Sequence, residues 1–150
     1  MKITVRAAVK NDIERIVDFQ LAMARETENI SLNRDVVMKG VSAVFNDPAK
    51  GKYFVVANDR GAIASTLLTP EWSDWRNGFV YWIQSVYVQP DYRKHGVFSK
   101  MFDFLKTMVK NDEQLMGLRL YVDKTNHRAR AIYQKLGMNG EHYDLFEWMK

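Results

Sequence analysis

The run Arg93-Lys94-His95-Gly96-Val97-Phe98 sets two fixed cations and a glycine at the head of a helical apolar stripe. A helix start offers unpaired N–H groups and a partial positive charge, which suits an anion such as a diphosphate. Such donors must come within ~3 Å of a phosphate oxygen. A side chain at the closest point would block that approach, and Gly96 has none. Further on, Asn126-His127-Arg128-Ala129-Arg130-Ala131-Ile132-Tyr133 reads as a short helix with a tyrosine on one face. Ala129, Ile132, Tyr133 and Leu136 share a stripe, so the ring can pack in the core while its hydroxyl faces a cleft as a proton donor.

Carboxylates and indoles form the other chemical groups. Glu26 and Glu28 follow the first helical pattern, and two neighbouring acids suit a cationic amine. Residues 70–78 read as a loop that holds Glu71, Trp72 and Trp75. A tryptophan face can hold an ammonium group. Exposed indole area is costly, so these two line a pocket, fold back as a lid on the core or form a dimer contact. Each acid can equally be a solvated helix-end or loop carboxylate.

The elements that must position these groups follow from periodicity. Residues 2–8 alternate as a strand. Asn11 and Glu14 form a variant capping box ahead of Ile13, Ile16, Val17, Leu21 and Ala24 at helical spacing. Asn33 caps a second helix with Val37, Val41, Val44 and Phe45 on one side, and Asp47-Pro48 ends it. Residues 53–57 and 62–69 pair about the turn Asn58-Asp59-Arg60-Gly61. Residues 79–88 are the most β-prone run and Pro90 stops them. A helix follows from about Lys94, with Phe98, Met101, Phe102, Leu105, Met108 and Val109 on one face. Residues 118–122 form a buried strand, Gly137 closes the tyrosine-bearing helix, and residues 143–149 make a last strand. The fold class is α/β (α+β): one domain over residues 1–150, a mixed and mostly antiparallel central sheet, helices on both faces.

Composition narrows the function. With 150 residues, the chain suits one core. No apolar run approaches the ~20 residues that span a bilayer, so no membrane role is expected. Met1-Lys2-Ile3-Thr4-Val5-Arg6 lacks an apolar signal core, which predicts a cytoplasmic protein. The absence of cysteine excludes disulfides, cysteine-ligated zinc and a cysteine acyl-enzyme. A net charge of +4 with scattered basic residues argues against nucleic acid as partner, yet can draw in an anionic cofactor.

The two motifs, their order and their spacing resemble the acyl-coenzyme-A-binding core of the GNAT superfamily of N-acetyltransferases. The family pattern Arg/Gln-x-x-Gly-x-Gly/Ala is matched by Arg93 to Val97, with Phe98 where a small residue is usual. The resemblance implies transfer of an acetyl group from acetyl-CoA to a primary amine of a small molecule, by direct attack in a ternary complex, with no metal. It implies cofactor contacts at Val86, Tyr87, Val88, Arg93, Lys94, His95, Gly96, Val97, Phe98, Ser99, Asn126, Ala129 and Tyr133. It implies a bulge in the central strand, with an amide near Val86 to Val88 that polarises the acyl carbonyl. It assigns to Tyr133 the protonation of the leaving thiolate, since a phenol near pKa ~10 can protonate a thiol near ~8.5. Some relatives carry a glutamate base where this chain has Gln84, so the base lies elsewhere: Glu26, Glu28, Glu71, His142 or a water chain. The acceptor region it implies includes Glu26, Glu28, Glu71, Trp72, Trp75 and Gln84. Two other classes fit the same residues: a non-catalytic acyl-CoA sensor, and a protein N-terminal or lysine acetyltransferase. A homodimer is compatible with all three.

Overall fold

The computed structural model describes residues 1–150, which divide into two compact units, Met1–Arg119 and Leu120–Lys150. The first unit runs β1 (Thr4–Ala7), α1 (Ile13–Glu28), α2 (Arg34–Asn46), β2 (Lys52–Asn58), β3 (Gly61–Ser73), β4 (Gly78–Val88), α3 (Val97–Asn111) and β5 (Leu115–Arg119). The second holds α4 (His127–Lys135). No helix is long and apolar enough to cross a membrane.

The sheet order is β1-β2-β3-β4-β5, antiparallel except for the β4–β5 pair. Two parallel neighbours need a crossover, and α3 supplies it. Strand alternation divides the core. Tyr53, Val55 and Ala62 pack with Ile16, Val17, Phe19 and Val41 of α1 and α2. Their neighbours Val56, Ile63 and Ala64 pack with Val97 and Met101 of α3. Fully burying such side chains stabilises by about 1.5–3 kcal/mol each, so both sheet faces hold their helices firmly.

Local chemistry explains most boundaries. Asn33 accepts the Val36 N–H at 3.1 Å and caps α2. Ahead of α1 the cap differs from expectation: Asn11 lies inside a 3-10 turn, Lys10–Asp12, and Asp12 reaches back to the Val9 N–H at 2.8 Å. Arg6 grips the same buried carboxylate at 2.7 and 3.1 Å. Burial pushes the Asp12 pKa up, but the Arg6 hydrogen bond, the Val9 amide and the Arg6 charge outweigh it and hold the group below its ordinary value.

Three strand expectations change. β3 runs through Pro70 to Ser73, so Glu71 and Trp72 stand on a strand and not in a loop. Proline is tolerated because the β2 ladder ends at Leu68, which leaves Pro70 with β4 alone as neighbour. β5 lies at Leu115–Arg119, three residues ahead of the expected 118–122, because its partner is the first half of β4, from Phe79 to Trp82. Residues 143–149 form no strand.

In the second unit, Asn126 Oδ1 accepts the Ala129 N–H at 3.1 Å and starts α4. Gly137, at φ 90°, ends it: its N–H donates to the Gln134 carbonyl at 3.0 Å, and the Met138 N–H donates to the Tyr133 carbonyl at 3.0 Å. That is the paired-carbonyl stop which a left-handed glycine permits.

Candidate active site

β4 changes character midway. From Phe79 to Trp82 it pairs with β3 on one side and β5 on the other. From Ile83 to Val88 its strand partner is β3 alone. The change falls at a bulge: Leu67 faces Ser85, Leu68 faces Ile83, and Gln84 is the extra residue. A bulge bends its strand and sharpens the local twist, which separates β4 from β5 beyond Trp82. Main-chain groups on one edge of residues 83–88 are thereby left without a strand ladder, and an extended amide-bearing ligand could pair there as a strand does.

The side chains around the bulge are fixed. Gln84 Nε2 donates to Thr69 Oγ1 at 2.8 Å, and Gln20 of α1 donates to Ser85 Oγ at 3.1 Å. Val86 and Val88 pack on the α3 side of the sheet. Tyr87 is buried on the other side against Phe19, ring centroids 5.2 Å apart. Burial first, then the charge of Glu26, pushes the Tyr87 hydroxyl pKa up. Gln20, Thr69 and Ser85 escaped the sequence reading, because nothing in their local pattern announces a neighbour across the sheet.

After Val88 the chain turns through a 3-10 segment, Pro90–Tyr92, into α3. This loop is tied down at several points. The Gln89 N–H donates to the Ile63 carbonyl at 2.9 Å, and Asn58 Nδ2 donates to the Tyr92 hydroxyl at 3.2 Å. Arg93 Nε donates to the Val88 carbonyl at 2.8 Å, while its NH2 reaches Glu26 at 2.7 Å and its guanidinium lies 5.4 Å from the Tyr87 ring centre. It is thus paired with Glu26 while its side chain stays 42% exposed. Arg93 braces the loop, and Lys94 is a second exposed cation beside it.

Lys94 (φ 66°) and Gly96 (φ 74°) both adopt left-handed backbone. Alternation of ordinary and left-handed residues turns successive N–H groups toward one concavity, a geometry suited to anions. Gly96 is the N-cap of α3, and no side chain caps that helix. A Cβ built on Gly96 would meet nothing within 4 Å, so the space beside the head of the helix is open. Val97 is buried, and Ser99 is exposed in the first turn. The Phe98 ring stacks along the helix on Phe102, centroids 6.1 Å apart, and packs on the α3 core cluster. It thus occupies the core side of the turn, which explains how a large residue is accommodated where a small one is usual. His95 Nδ1 lies 2.8 Å from the Arg93 carbonyl and stabilises the turn.

The candidate acids part company. Glu26 accepts from Tyr87 at 3.3 Å and from Arg93, so it belongs to the open half of β4. Glu71 accepts from the Trp82 indole at 3.2 Å and pairs with Arg119 at 2.5 Å, which places it in the closed half. Glu28 is exposed in the last turn of α1, and His142 is exposed in the second unit with its ring 6.4 Å from that of Tyr143. Trp72 pairs with Phe79, nine positions before Val88, or about 30 Å along the strand at ~3.4 Å per residue. It lines a cleft of about 370 Å³ with Asn77, Gly78, Glu113 and Gln114. Trp75 is 92% exposed at the hairpin tip. The fold does not bring the two indoles to the open half of β4.

In the second unit Tyr133 is half-buried on α4, and burial pushes its hydroxyl pKa up. A phenol raised this way stays protonated and able to donate. The Asn126 amide oxygen is spent on the Ala129 N–H.

The mixed sheet, the bulge in β4 and the glycine-headed α3 are those expected from the sequence, and comparison with known proteins identifies the family. The model of the Acetyltransferase (GNAT) family matches residues 13–138, and the chain belongs to that family. It acts in acetyl transfer, with acetyl-CoA as cosubstrate. A possible acetyltransferase from Clostridium difficile 630 is 41% identical, with a TM-score of 0.93 over 100% of this chain and 99% of that one. An aminoglycoside N-acetyltransferase solved with coenzyme A shares the fold at 13% identity, with a TM-score of 0.80 over 99% of this chain and 95% of that one. A ribosomal-protein-alanine N-acetyltransferase from Brucella melitensis biovar Abortus 2308 shares it at 11% identity, TM-score 0.77, over 99% and 100%. No curated protein matches.

Proposed function

We propose that this chain transfers the acetyl group of acetyl-CoA to a primary amine of a small molecule, by direct attack in a ternary complex. The observation that carries this reading is the half-open β4 running into the uncapped start of α3. Acetyl-CoA supplies an activated thioester and, in its diphosphate, the anion that such a helix start suits. Backbone amides of Gly96, Val97, Phe98 and Ser99 hold that diphosphate, with Lys94 adding charge. Main-chain groups of Val86, Tyr87 and Val88 hold the extended arm of the cosubstrate, and one of these amides steadies the carbonyl oxygen as it gains charge. Tyr133 donates its proton to the departing sulfur. Its protonated phenol supports that role, and so does its position in the motif shared with the family. Asn126 and Ala129 start the helix that carries it.

Glu26 is the candidate acid joined by hydrogen bonds to the open half of β4. It receives the ammonium form of the acceptor, and the amine proton leaves through water. Gln84 has no base to offer, and its side chain holds the bulge by way of Thr69. The test is a panel of primary amines with acetyl-CoA, free thiol being followed by colour. Amine-dependent thiol release supports the reading. Saturable binding of acetyl-CoA without release for any amine would replace it with a sensor, and release with peptides alone would shift the acceptor class to proteins.

A further inference from the structure

α1 runs along the open half of β4 and bonds to it twice. Gln20 Nε2 donates to Ser85 Oγ at 3.1 Å, and two residues further along the strand the Tyr87 hydroxyl donates to Glu26 at 3.3 Å. The spacings agree, since six helical residues rise ~9 Å and two strand residues ~7 Å. Side chains two apart on a strand share a face, so Ser85 lies with Tyr87 on the side that α1 covers. We propose that Ser85 is a further catalytic residue, whose hydroxyl donates a hydrogen bond to the thioester carbonyl oxygen of acetyl-CoA, and that Gln20 is the positioning residue that aims it. This inference rests on the acetyl-transfer reading above.

Hydrogen-bond inventory comes first. A serine hydroxyl has one O–H and two lone pairs, and an amide nitrogen has only hydrogens to give. Gln20 therefore occupies a lone pair of Ser85, and the O–H points elsewhere. No group of the first unit takes it up, and Ser85 is only partly buried. The amide is held at a second point. Burial raises the pKa of the Tyr53 hydroxyl, and a hydrogen bond from Gln20 partly offsets it. A bond that lowers a phenol pKa is one donated to its oxygen, so Gln20 turns its NH2 toward both hydroxyls.

Place and chemistry then select the partner. Ser85 directly follows Gln84, the extra residue of the bulge, and precedes Val86 to Val88. Bulges re-aim the side chains beside them. A hydroxyl that already accepts a hydrogen bond is polarised into a better donor. A neutral acceptor amine could offer that donor only its lone pair, which must instead attack the thioester carbon. The carbonyl oxygen gains negative charge during that attack, and a donor fixed in advance stabilises it at no cost in reorganisation. Ser85 thus adds a side-chain donor to the main-chain amide already assigned to this oxygen.

The test uses the full chain, acetyl-CoA and an amine that the wild type acetylates. Ser85→Thr keeps the hydroxyl and Ser85→Val removes it at nearly the same shape. Ser85→Val should lower kcat about 10²-fold, the low end of the loss for one oxyanion donor. Ser85→Thr should stay within about tenfold of wild type, and affinity for coenzyme A should not change in either. Gln20→Glu keeps the side-chain shape but sets acceptor oxygens against Ser85, which turns its O–H toward α1. It should lower kcat about as far as Ser85→Val and add little to it in the double variant, because both act on one hydrogen bond. Equal rates for Ser85→Thr and Ser85→Val, a wild-type kcat for Gln20→Glu, or losses that multiply in the double variant would each overturn this inference alone. Absence of amine-dependent thiol release from the wild type would overturn the acetyl-transfer reading and this inference with it.

Discussion

The two halves of β4 differ in one respect. Phe79 to Trp82 have strand neighbours on both sides, and Ile83 to Val88 have one. The first half builds structure: Glu71, Trp82 and Arg119 lock together there, and Trp72 meets Phe79 edge-on at 5.1 Å. The second half leaves a ladder incomplete, and a buried tyrosine, an ion pair and the loop into α3 all gather on it. A bulge of one residue, Gln84, separates them. On the function proposed above, the half of β4 without a second strand partner is the working surface, and Gln84 on Thr69 and Gln20 on Ser85 hold the bulge that sets it apart.

The comparison can be sharpened by substitution. The largest effect is expected from Tyr133→Phe, which removes a proton donor and leaves the binding surface intact. kcat should fall about 10²–10³-fold, a typical range for loss of acid–base catalysis, with little change in the affinity for acetyl-CoA. Because the Tyr133 pKa is raised, kcat should hold on the alkaline side until the pH passes the ordinary tyrosine value of ~10, then fall as the donor ionises. An unchanged rate removes Tyr133 from the chemistry.

Gly96→Val comes next. A β-branched residue at φ 74° carries strain of order 1–3 kcal/mol, and its methyl groups occupy the open space at the head of α3. Affinity for coenzyme A measured by calorimetry should weaken roughly 10–100-fold, since each 1.4 kcal/mol is tenfold. Wild-type affinity would mean that the diphosphate lies elsewhere.

Glu26→Gln cuts the brace between α1 and Arg93 and removes the charge offered to the acceptor. KM for the amine should rise about tenfold, in line with a charged hydrogen bond of ~1.5–3 kcal/mol discounted for its partial exposure. The smallest effect belongs to Trp72→Ala in the closed half. kcat and the KM for acetyl-CoA should stay within about twofold, because the change lies roughly 30 Å along the strand from Val88. A large loss there would break the division between the halves.

Much of this was legible in sequence, for a physical reason. Gly96, the stop at Pro90 and the stripe from Phe98 to Leu105 are local signals, and the loop and α3 stand where they predict. Asn33 and Gly137 cap helices as read, because caps act within a few residues. Long-range partners were hidden. Strand pairing decides where β3 and β5 end, and the ladder to β4 carries β3 past Pro70. The engagement of Arg93 with Glu26 spans α1 and the loop, so no local pattern reveals that this cation is a brace. Residues 143–149 have a strand's composition, but composition supplies no ladder partner, and the segment forms no strand. The bulge was implied by family resemblance alone, and the register of Leu67 and Leu68 against Ser85 and Ile83 now locates it.

Amide hydrogen exchange with and without coenzyme A, resolved by residue, reads the central claim most directly. Protection should rise at Val86 to Val88 and at Gly96 to Ser99, where free main-chain groups gain partners, while Phe79 to Trp82 exchange as before. Equal change in both halves of β4, or none at the head of α3, would contradict it.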